Sequence, residues 1–312
     1  MHLGVETASM AGDRRGIGRY TRRLLSHFAR LLPDLRVTLY VDSAWKARAL
    51  TAELPGLGYG PERGAVAHVG NFRGEPPDLL WYPWGRIAHR TTDLRTVVTI
   101  HDLAPFHFRH ASWLRRLDRW RRQRRLRRTA RLADWIITDS DFSREDILRR
   151  LDAPPERVTA IPLAADDFTP AVGPVDHEML ARRFGLGERF LLYVGAGDRR
   201  KNLPRLLEAY AVLRAQGGIE VGLALCGPKA PRGGAAAIPG VRWLGRVSDE
   251  ELRALYHAAT ALGQPSLLEG FGLPGREARA SGTPVLCSRA TSLPEVAGAA
   301  ATRNLFIPAE SN

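Results

Sequence analysis

Short apolar and β-branched runs alternate along this chain with longer amphipathic segments. Segments such as 204–215 (PRLLEAYAVLRA) and 249–258 have the three-to-four-residue apolar spacing of helices. The apolar runs between such segments predict eleven strands, at residues 3–6, 37–41, 79–82, 97–100, 135–138, 158–161, 190–194, 221–226, 241–244, 261–264 and 285–287. This alternation predicts an α/β fold with parallel sheets covered by helices on both faces.

One aperiodic segment divides the pattern into two halves. Residues 162–174 (PLAADDFTPAVGP) are rich in Pro, Asp and Ala and are typical of a linker. A chain of 312 residues is also long enough for two domains. We therefore predict one Rossmann-like domain over residues 1–165 and a second over 175–312.

Composition indicates a folded protein of a reducing compartment. Apolar residues make up 44% of the chain, but the longest apolar runs, such as 190–194, are far too short to span a membrane. The N-terminal sequence MHLGVETASM lacks the pattern of a signal peptide. Cys226 and Cys287 lie in strand-like contexts that favour buried thiols over a disulfide or a metal site. A cytoplasmic location is predicted, with contact at the inner face of the membrane left open.

The net charge of +13 is nearly all arginine, which a GC-rich genome also explains. Position is more informative, since residues 113–131 (WLRRLDRWRRQRRLRRTAR) place Trp113, Leu117 and Trp120 at helical spacing after Ser112, a candidate N-cap. One interpretation is a solvated helix whose apolar stripe belongs to the core. The other is a surface that meets anionic lipid or a polyprenyl-phosphate acceptor. Nucleic-acid binding is disfavoured because no recognition module accompanies the arginines.

Open α/β sheets bind ligands beyond the carboxyl ends of their strands, so candidate chemistry is expected at strand–helix junctions. In the first half, Gly16 and Gly18 follow the first strand, and His101 ends another. Glycines there would let backbone N–H groups approach an anion, although a plain tight turn explains them equally. A lone histidine at a strand end is more often structural.

Two junctions in the second half carry charge. The segment 194–203 (VGAGDRRKNL) brings Arg200 and Lys201 to a strand end, where fixed cations can stabilise a phosphoryl leaving group. It lacks the third glycine of a dinucleotide fingerprint, which disfavours an oxidoreductase. A solvated basic turn is the alternative.

The fourth junction, 265–278 (PSLLEGFGLPGREA), places Glu269 in a glycine-rich loop and Glu277 in the helix that follows. A loop plus one to two helical turns separates two such carboxylates by roughly 10 Å, too far for an acid/base pair acting on one bond. Two hydroxyl-binding points on a long ligand suit this spacing, with a diphosphate at the helix start. A capping acid and a surface acid are the alternative.

Taken in order, these segments resemble the family 4 retaining glycosyltransferases, which have the two-domain GT-B fold. The resemblance is carried by GIGRYTRRLL, TVVTIHDLAPF, ITDSDFSREDILRRLDAPPERVTAIPLAAD, LLYVGAGDRRKNLPRLLEAY, SLLEGFGLPGREARASGTPVLCS and SLPEVAG. It covers most of the chain and is strongest to the mannosyl and rhamnosyl transferase branch.

The resemblance implies a role for each candidate. Lys201, helped by Arg200, would hold the diphosphate of a nucleotide-sugar donor, and Glu277 would bind the ribose hydroxyls. The donor sugar would contact the Glu269 side chain and the loop backbone after it, at Gly270, Phe271 and Gly272.

The N-terminal domain would bind the acceptor, with His101 touching the sugar from the opposite domain and Gly16 and Gly18 leaving room for the phosphates or the acceptor. Transfer would proceed with retention, by attack on the face that the diphosphate leaves. No metal or other cofactor is expected. The D-x-D at Asp139–Asp141 is interpreted as a strand-to-helix turn with Asp141 as the N-cap.

The sequence departs from the family pattern in two places. Ala196 stands where many relatives have an arginine on the phosphates. The chain also ends at Asn312, so the closing helices are expected to be missing and a protein partner could cover the exposed surface.

These departures leave alternatives open. One is a catalytically impaired nucleotide-binding subunit of another transferase, and a second is a sugar-phosphate synthase or glycogen-type enzyme of the same fold. GDP-mannose is the first expected donor, with UDP- and dTDP-sugars close behind, and the acceptor is a saccharide, a lipid-linked group or a natural product.

Overall fold

The computed structural model describes residues 1–7, 10–13, 16–69, 75–88, 94–108, 112–165, 168, 176–217, 220–228 and 238–298. The chain forms two compact units, the first of Met1–Asp139 with Ser143–Ile161 and the second of Ser140–Phe142 with Pro162–Asn312. Most of the predicted linker, the predicted domain start at 175 and the C-terminal segment 299–312 lie outside the described residues. The acceptor and donor roles of the two halves stay predictions.

In the described part of the first unit, seven parallel strands pair in the order β3-β2-β1-β4-β5-β6-β7. They are β1 (His2–Glu6), β2 (Arg36–Val41), β3 (Gly64–His68), β4 (Leu79–Tyr82), β5 (Arg95–Thr99), β6 (Trp135–Thr138) and β7 (Val158–Ala160). The chain runs outward from β1 to β3 and then returns to β4 on the other side of β1. The direction of winding therefore reverses between β1 and β4.

The second unit, where the structure describes it, has five parallel strands in the order β10-β9-β8-β11-β12. They are β8 (Phe190–Val194), β9 (Gly222–Cys226), β10 (Val241–Gly245), β11 (Ala261–Gln264) and β12 (Val285–Cys287). Here the winding reverses between β8 and β11. Such reversal points open a crevice at the carboxyl ends of the two strands, which is where open α/β sheets bind ligands.

Helices connect the strands. In the first unit they are α1 (Ile17–Leu31), α2 (Ala44–Glu53), α3 (Ala104–His107), α4 (Trp113–Leu132) and α5 (Asp141–Leu151). In the second they are α6 (His177–Phe184), α7 (Leu203–Ala215), α8 (Asp249–Ala258), α9 (Leu273–Ala280) and α10 (Leu293–Ala297). Single 3₁₀ turns lie at Leu54–Leu57, Pro155–Arg157 and Arg199–Lys201.

Each sheet is buried on both faces. In β4, Leu80 and Tyr82 pack in one apolar cluster while Trp81, between them, packs in the cluster on the opposite face. The second sheet behaves alike, since Leu192 of β8 and its neighbour Tyr193 belong to different clusters. Alternation of apolar side chains between two covered faces explains why these strands are continuous apolar runs. Cys226 and Cys287 are buried and form no disulfide, as predicted.

The predicted strands are all confirmed, with ends shifted by at most two residues. The sequence did not predict β3, whose residues Gly64–His68 form an edge strand with half-exposed side chains. Its small residues (GAVAH) bury little apolar surface, so it lacks the pattern of the other strands. Helix α1 begins at Ile17, directly after Gly16.

Helix α4 corrects one interpretation of the arginine-rich segment. It follows Ser112 as predicted, but its stripe is not part of the core, because Trp113 is 70% exposed, Leu117 37% and Trp120 50%. The helix is instead held by its C-terminal half, where Thr129 and Ala130 are buried. None of the helices in the described ranges is both long and apolar enough to cross a membrane.

Candidate active site

Lys201 lies in the turn between β8 and α7, at the reversal point of the second sheet. Asp198 caps this 3₁₀ turn and accepts a hydrogen bond from the Lys201 backbone N–H. The Lys201 Nζ donates to Glu269 Oε1 over 2.6 Å, and the lysine side chain is 12% exposed. Arg200 Nε donates to Asp198 Oδ2 over 3.2 Å. Arg200 and Lys201 are therefore oriented by different carboxylates.

Three donors converge on one oxygen of Glu269. Besides Lys201, Glu269 Oε1 accepts from the Ser266 hydroxyl at 2.7 Å and from Gln264 Nε2 at 3.2 Å. The residue is 4% exposed, so its charge is compensated by this network in place of water. The other oxygen, Oε2, receives no hydrogen bond from the described residues, so it can accept a further one.

The loop that carries Glu269 is fastened by the segment after β12. Thr291 Oγ1 accepts from the Glu269 backbone N–H at 3.0 Å, and Ser292 Oγ donates to the carbonyls of Glu269 and Phe271 at 3.1 and 2.9 Å. Thr291 has a φ of +55°, a strained conformation for a β-branched residue. Strain of this kind persists where neighbouring contacts hold the residue, and it clusters at functional sites.

Gly270, Phe271 and Gly272 lead from this loop into α9. Gly272 has a φ of +99°, a conformation that favours glycine, and a Cβ on it would lie 2.8 Å from Leu293 Cδ2, so the leucine side chain would have to shift. Helix α9 starts at the next residue, and its N-cap offers no side-chain acceptor. The partial positive charge of such a helix start suits an anion.

Glu277 lies on the buried side of α9. It is 7% exposed, and its Oε2 accepts a hydrogen bond of 2.9 Å from the hydroxyl of Tyr256, a fully buried residue of α8. The second glutamate is thus held in place by the core of the second unit. This disagrees with the alternative of a solvated surface acid.

In the first unit, the loop after β1 is closed by Arg22. Its guanidinium donates to the carbonyls of Asp13 and Met10, both at 2.6 Å, and pairs with Glu53. Gly18 lies inside α1, and a Cβ on it would be 1.8 Å from the Asp13 carbonyl oxygen. The loop's own packing therefore requires this glycine. A Cβ on Gly16 would meet nothing within 4 Å, so the backbone there borders open space.

His101 is bound on both sides of its ring. Nδ1 lies 2.6 Å from Asp139 Oδ2, and Nε2 lies 3.1 Å from the Pro83 carbonyl oxygen. Both partners are acceptors, so the protonated ring, with two donors, satisfies both. Burial opposes that charge, but the Asp139 carboxylate and the Pro83 carbonyl outweigh it and raise the pKa of His101 above 6.5. The predicted contact of His101 with the sugar stays a prediction.

We expect the His101–Asp139 pair to make stability depend on pH. Because the pKa of His101 is raised on folding, its contribution is fully present below about pH 6.5 and is lost as pH rises through the folded pKa. The melting temperature of wild type should exceed that of Asp139→Asn most below pH 6.5, with a smaller gap at higher pH. Asp118→Asn, at an exposed carboxylate, is the control. A constant gap between wild type and Asp139→Asn across pH 5–9 would contradict the assignment.

Several residues of these clusters were not predicted. Asp139 was considered as part of a D-x-D, and α5 begins at Asp141 itself, so the predicted N-cap role of Asp141 is wrong. The Asp139 contact could have been anticipated, because β5 and β6 are adjacent and His101 and Asp139 follow their ends. Tyr256 and Thr291 had no local signal, since their partners are distant in the sequence.

Two family models match the chain and together span most of it. The model described as Glycosyltransferase Family 4 matches residues 14–167, and the one described as Glycosyl transferases group 1 matches residues 178–312. The O-antigen chain mannosyltransferase B of Escherichia coli is 36% identical over an alignment of 217 residues, which covers 65% of this chain and 55% of that protein. The MMP alpha-(1->4)-mannosyltransferase of Mycolicibacterium hassiacum is 36% identical over 55% of this chain and 41% of its own length. The chain thus spans about half the length of these curated relatives.

Solved structures share the fold. The sucrose-phosphate synthase of Thermosynechococcus elongatus superposes with a TM-score of 0.71 at 19% identity, over 100% of this chain and 86% of that one. WaaG, a glycosyltransferase involved in lipopolysaccharide biosynthesis, gives a TM-score of 0.70 at 18% identity, over 100% of this chain and 87% of that one. HepE of Anabaena in complex with UDP and glucose gives a TM-score of 0.68 at 19% identity, over 95% of this chain and 82% of that one.

Proposed function

Because this chain is a member of glycosyltransferase family 4, we propose that it transfers a mannose-like hexose from a nucleotide-diphosphate sugar to a saccharide, lipid-linked or natural-product acceptor. Two mannosyltransferases at 36% identity support the sugar. GDP-mannose is the proposed donor. The acceptor would be bound by the first unit.

The Lys201–Glu269 pair at the reversal point of the second sheet carries this proposal. Lys201 lies in the 3₁₀ turn that follows β8, and the buried carboxylate of Glu269 orients its ammonium. Glu269 itself lies in the loop that leads into α9. The diphosphate would bind to the Lys201 ammonium and to the N-terminus of α9. The sugar hydroxyls would donate hydrogen bonds to Glu269 Oε2. The ribose hydroxyls would bind Glu277, which Tyr256 holds in place.

Transfer is proposed to retain the configuration of the sugar. The bond from the anomeric carbon to the diphosphate oxygen breaks, and a bond to the acceptor hydroxyl oxygen forms on the same face. The hydroxyl proton passes to the departing diphosphate oxygen, so the protein supplies no separate base. Lys201 would stabilise the negative charge that develops on the leaving group.

The reaction is proposed to need no metal. The residues that the structure describes include no group of three His, Cys, Asp or Glu side chains placed to share an ion. Asp139, the first acid of the D-x-D, is hydrogen bonded to His101. The leaving-group charge is assigned to Lys201 and the α9 N-terminus instead.

A thermal-shift panel of GDP, UDP, dTDP and ADP without metal tests the donor site. A nucleotide at about one hundred times its dissociation constant should stabilise the protein by roughly 2.7 kcal/mol. We expect one of the four nucleotides to raise the melting temperature of wild type and to change that of Glu277→Ala little. Glu277→Gln, which keeps an acceptor for Tyr256, separates loss of ribose binding from damage to the fold.

Glu208→Ala, at an exposed carboxylate of α7, serves as the control and should respond like wild type. Stabilisation by no nucleotide, or an equal shift in Glu277→Ala, would refute the assignment of this site. Release of free sugar from the donor then distinguishes an enzyme from a nucleotide-binding subunit, since the latter is stabilised but releases none.

A further inference from the structure

One face of α4 combines exposed tryptophan with arginines that form no ion pair with a described residue. At about 100° per residue, one arc of roughly 100° around this helix holds seven side chains. This α4 face consists of Trp113, Leu117, Trp120, Arg121, Arg124, Arg128 and Arg131. The helix contacts the rest of the first unit through a different side, where Gln123 and Leu126 are partly buried and Ala130 is buried.

The apolar members of the α4 face are open to solvent. Trp113 is 70% exposed, Trp120 50% and Leu117 37%, and Leu114 beside them is 58% exposed. Arg124 lies over the Trp120 ring at 5.4 Å from its centroid. A single exposed apolar residue needs no explanation, but four within the first turns of one helix form a patch that favours an interaction site.

Within the part of the chain that the structure describes, little negative charge compensates the charge of the helix. It carries ten arginines and one acidic residue, Asp118, which pairs with Arg122. The arginines without an ion pair to any described residue include Arg115, Arg116, Arg121, Arg125, Arg128 and Arg131. Like charges on adjacent turns destabilise an isolated helix, and an anionic counter-surface would relieve that repulsion.

We propose that the α4 face docks the protein on the anionic surface of a lipid bilayer. Trp113, Leu117 and Trp120 enter the interfacial region of the bilayer, where indole rings are favoured, while the arginines contact lipid phosphates. A duplex nucleic acid would satisfy the arginines but leave the leucine and tryptophan side chains in water, so the apolar stripe favours lipid. This surface is independent of the proposed transferase activity.

Co-sedimentation of the full chain with vesicles tests the proposal. Wild type should bind vesicles containing about one third phosphatidylglycerol at least ten-fold more tightly than phosphatidylcholine alone, with the difference shrinking in high salt. For the triple variant Arg121→Gln/Arg124→Gln/Arg128→Gln, the affinity for anionic vesicles should fall about five-fold for each arginine removed. Trp113→Ala/Trp120→Ala should weaken binding to anionic vesicles about ten-fold or more, including at high salt.

Two control variants remove the same residue types, tryptophan and arginine, outside α4. Trp243→Ala removes a tryptophan that is 47% exposed in the second unit. Arg149→Gln/Arg182→Gln/Arg183→Gln lowers the net charge equally at exposed arginines outside α4. Both controls should bind vesicles like wild type. Circular dichroism of every variant checks that its fold is retained.

Three results would overturn the proposal. The first is equal affinity for neutral and anionic vesicles. The second is that Trp113→Ala/Trp120→Ala binds vesicles as tightly as wild type does, while wild type binds duplex DNA tightly and in a salt-dependent manner. That result would make the helix a nucleic-acid surface. The third is self-association of wild type that the tryptophan variant abolishes, without vesicle binding, which would make the face a contact between copies.

Discussion

Lys201→Ala is expected to lower kcat by about a hundred- to a thousand-fold, with a much smaller change in the KM for the donor. The ammonium lies at the carboxyl edge of the second sheet, where the proposed diphosphate leaves. Negative charge grows on that group in the transition state, so the contact is worth more there than in the ground state. Steady-state kinetics at saturating acceptor, with the donor varied, separate the two constants.

The control for this variant is Arg199→Ala, which removes an exposed cation from the same 3₁₀ turn. It should retain kcat within a few-fold of wild type. In Lys201→Ala, Ser266 and Gln264 still donate to Glu269, but the buried carboxylate loses its counter-charge, and melting curves measure the stability that this costs. A variant that melts like wild type and keeps its kcat would remove Lys201 from the mechanism.

Gly18→Ala is expected to destabilise the first unit by about 3 kcal/mol or more. The added Cβ would lie 1.8 Å from the Asp13 carbonyl oxygen, and that oxygen is backbone, so no side chain can turn aside. Overpacking that moves backbone falls at the upper end of the cost of core substitutions. Chemical denaturation with a probe in the first unit measures the loss.

Gly12→Ala is the matched control, since a Cβ there meets nothing within 4 Å. It lies in the same loop and should be nearly neutral. Equal stability of Gly18→Ala and Gly12→Ala would contradict the interpretation that Gly18 is required by packing. Because Gly18→Ala also disturbs the Arg22 contacts to Met10 and Asp13, reduced acceptor binding should accompany the loss of stability.

Strands were predictable wherever both faces of the sheet are covered. Strand β8 (FLLYV) reads as a continuous apolar run because Leu192 and Tyr193 are buried on opposite faces. Strand β3 was missed because an edge strand with small, half-exposed residues carries no such run. The order of predicted strands also implied parallel pairing, since amphipathic helical segments separate many of them.

Periodicity could place Trp113, Leu117 and Trp120 on one helix but could not decide what they face. A core stripe and an exposed stripe have the same spacing, and the difference lies in which elements pack nearby. The structure holds α4 by Thr129 and Ala130, which leaves its first turns in solvent. The exposed stripe is therefore a result of tertiary packing.

The candidate residues show the same division. The sequence by itself determined that Lys201, Glu269 and Glu277 follow strands, because glycine, proline and charge at strand ends are local signals. Only the tertiary structure decided their contacts. Pairing of β8 with β11 sets Lys201 against Glu269, 68 residues apart, and a buried tyrosine from α8 reaches Glu277. Local patterns record the propensities of neighbouring residues, whereas such contacts depend on which strands lie side by side, and strand order is a property of the whole sheet.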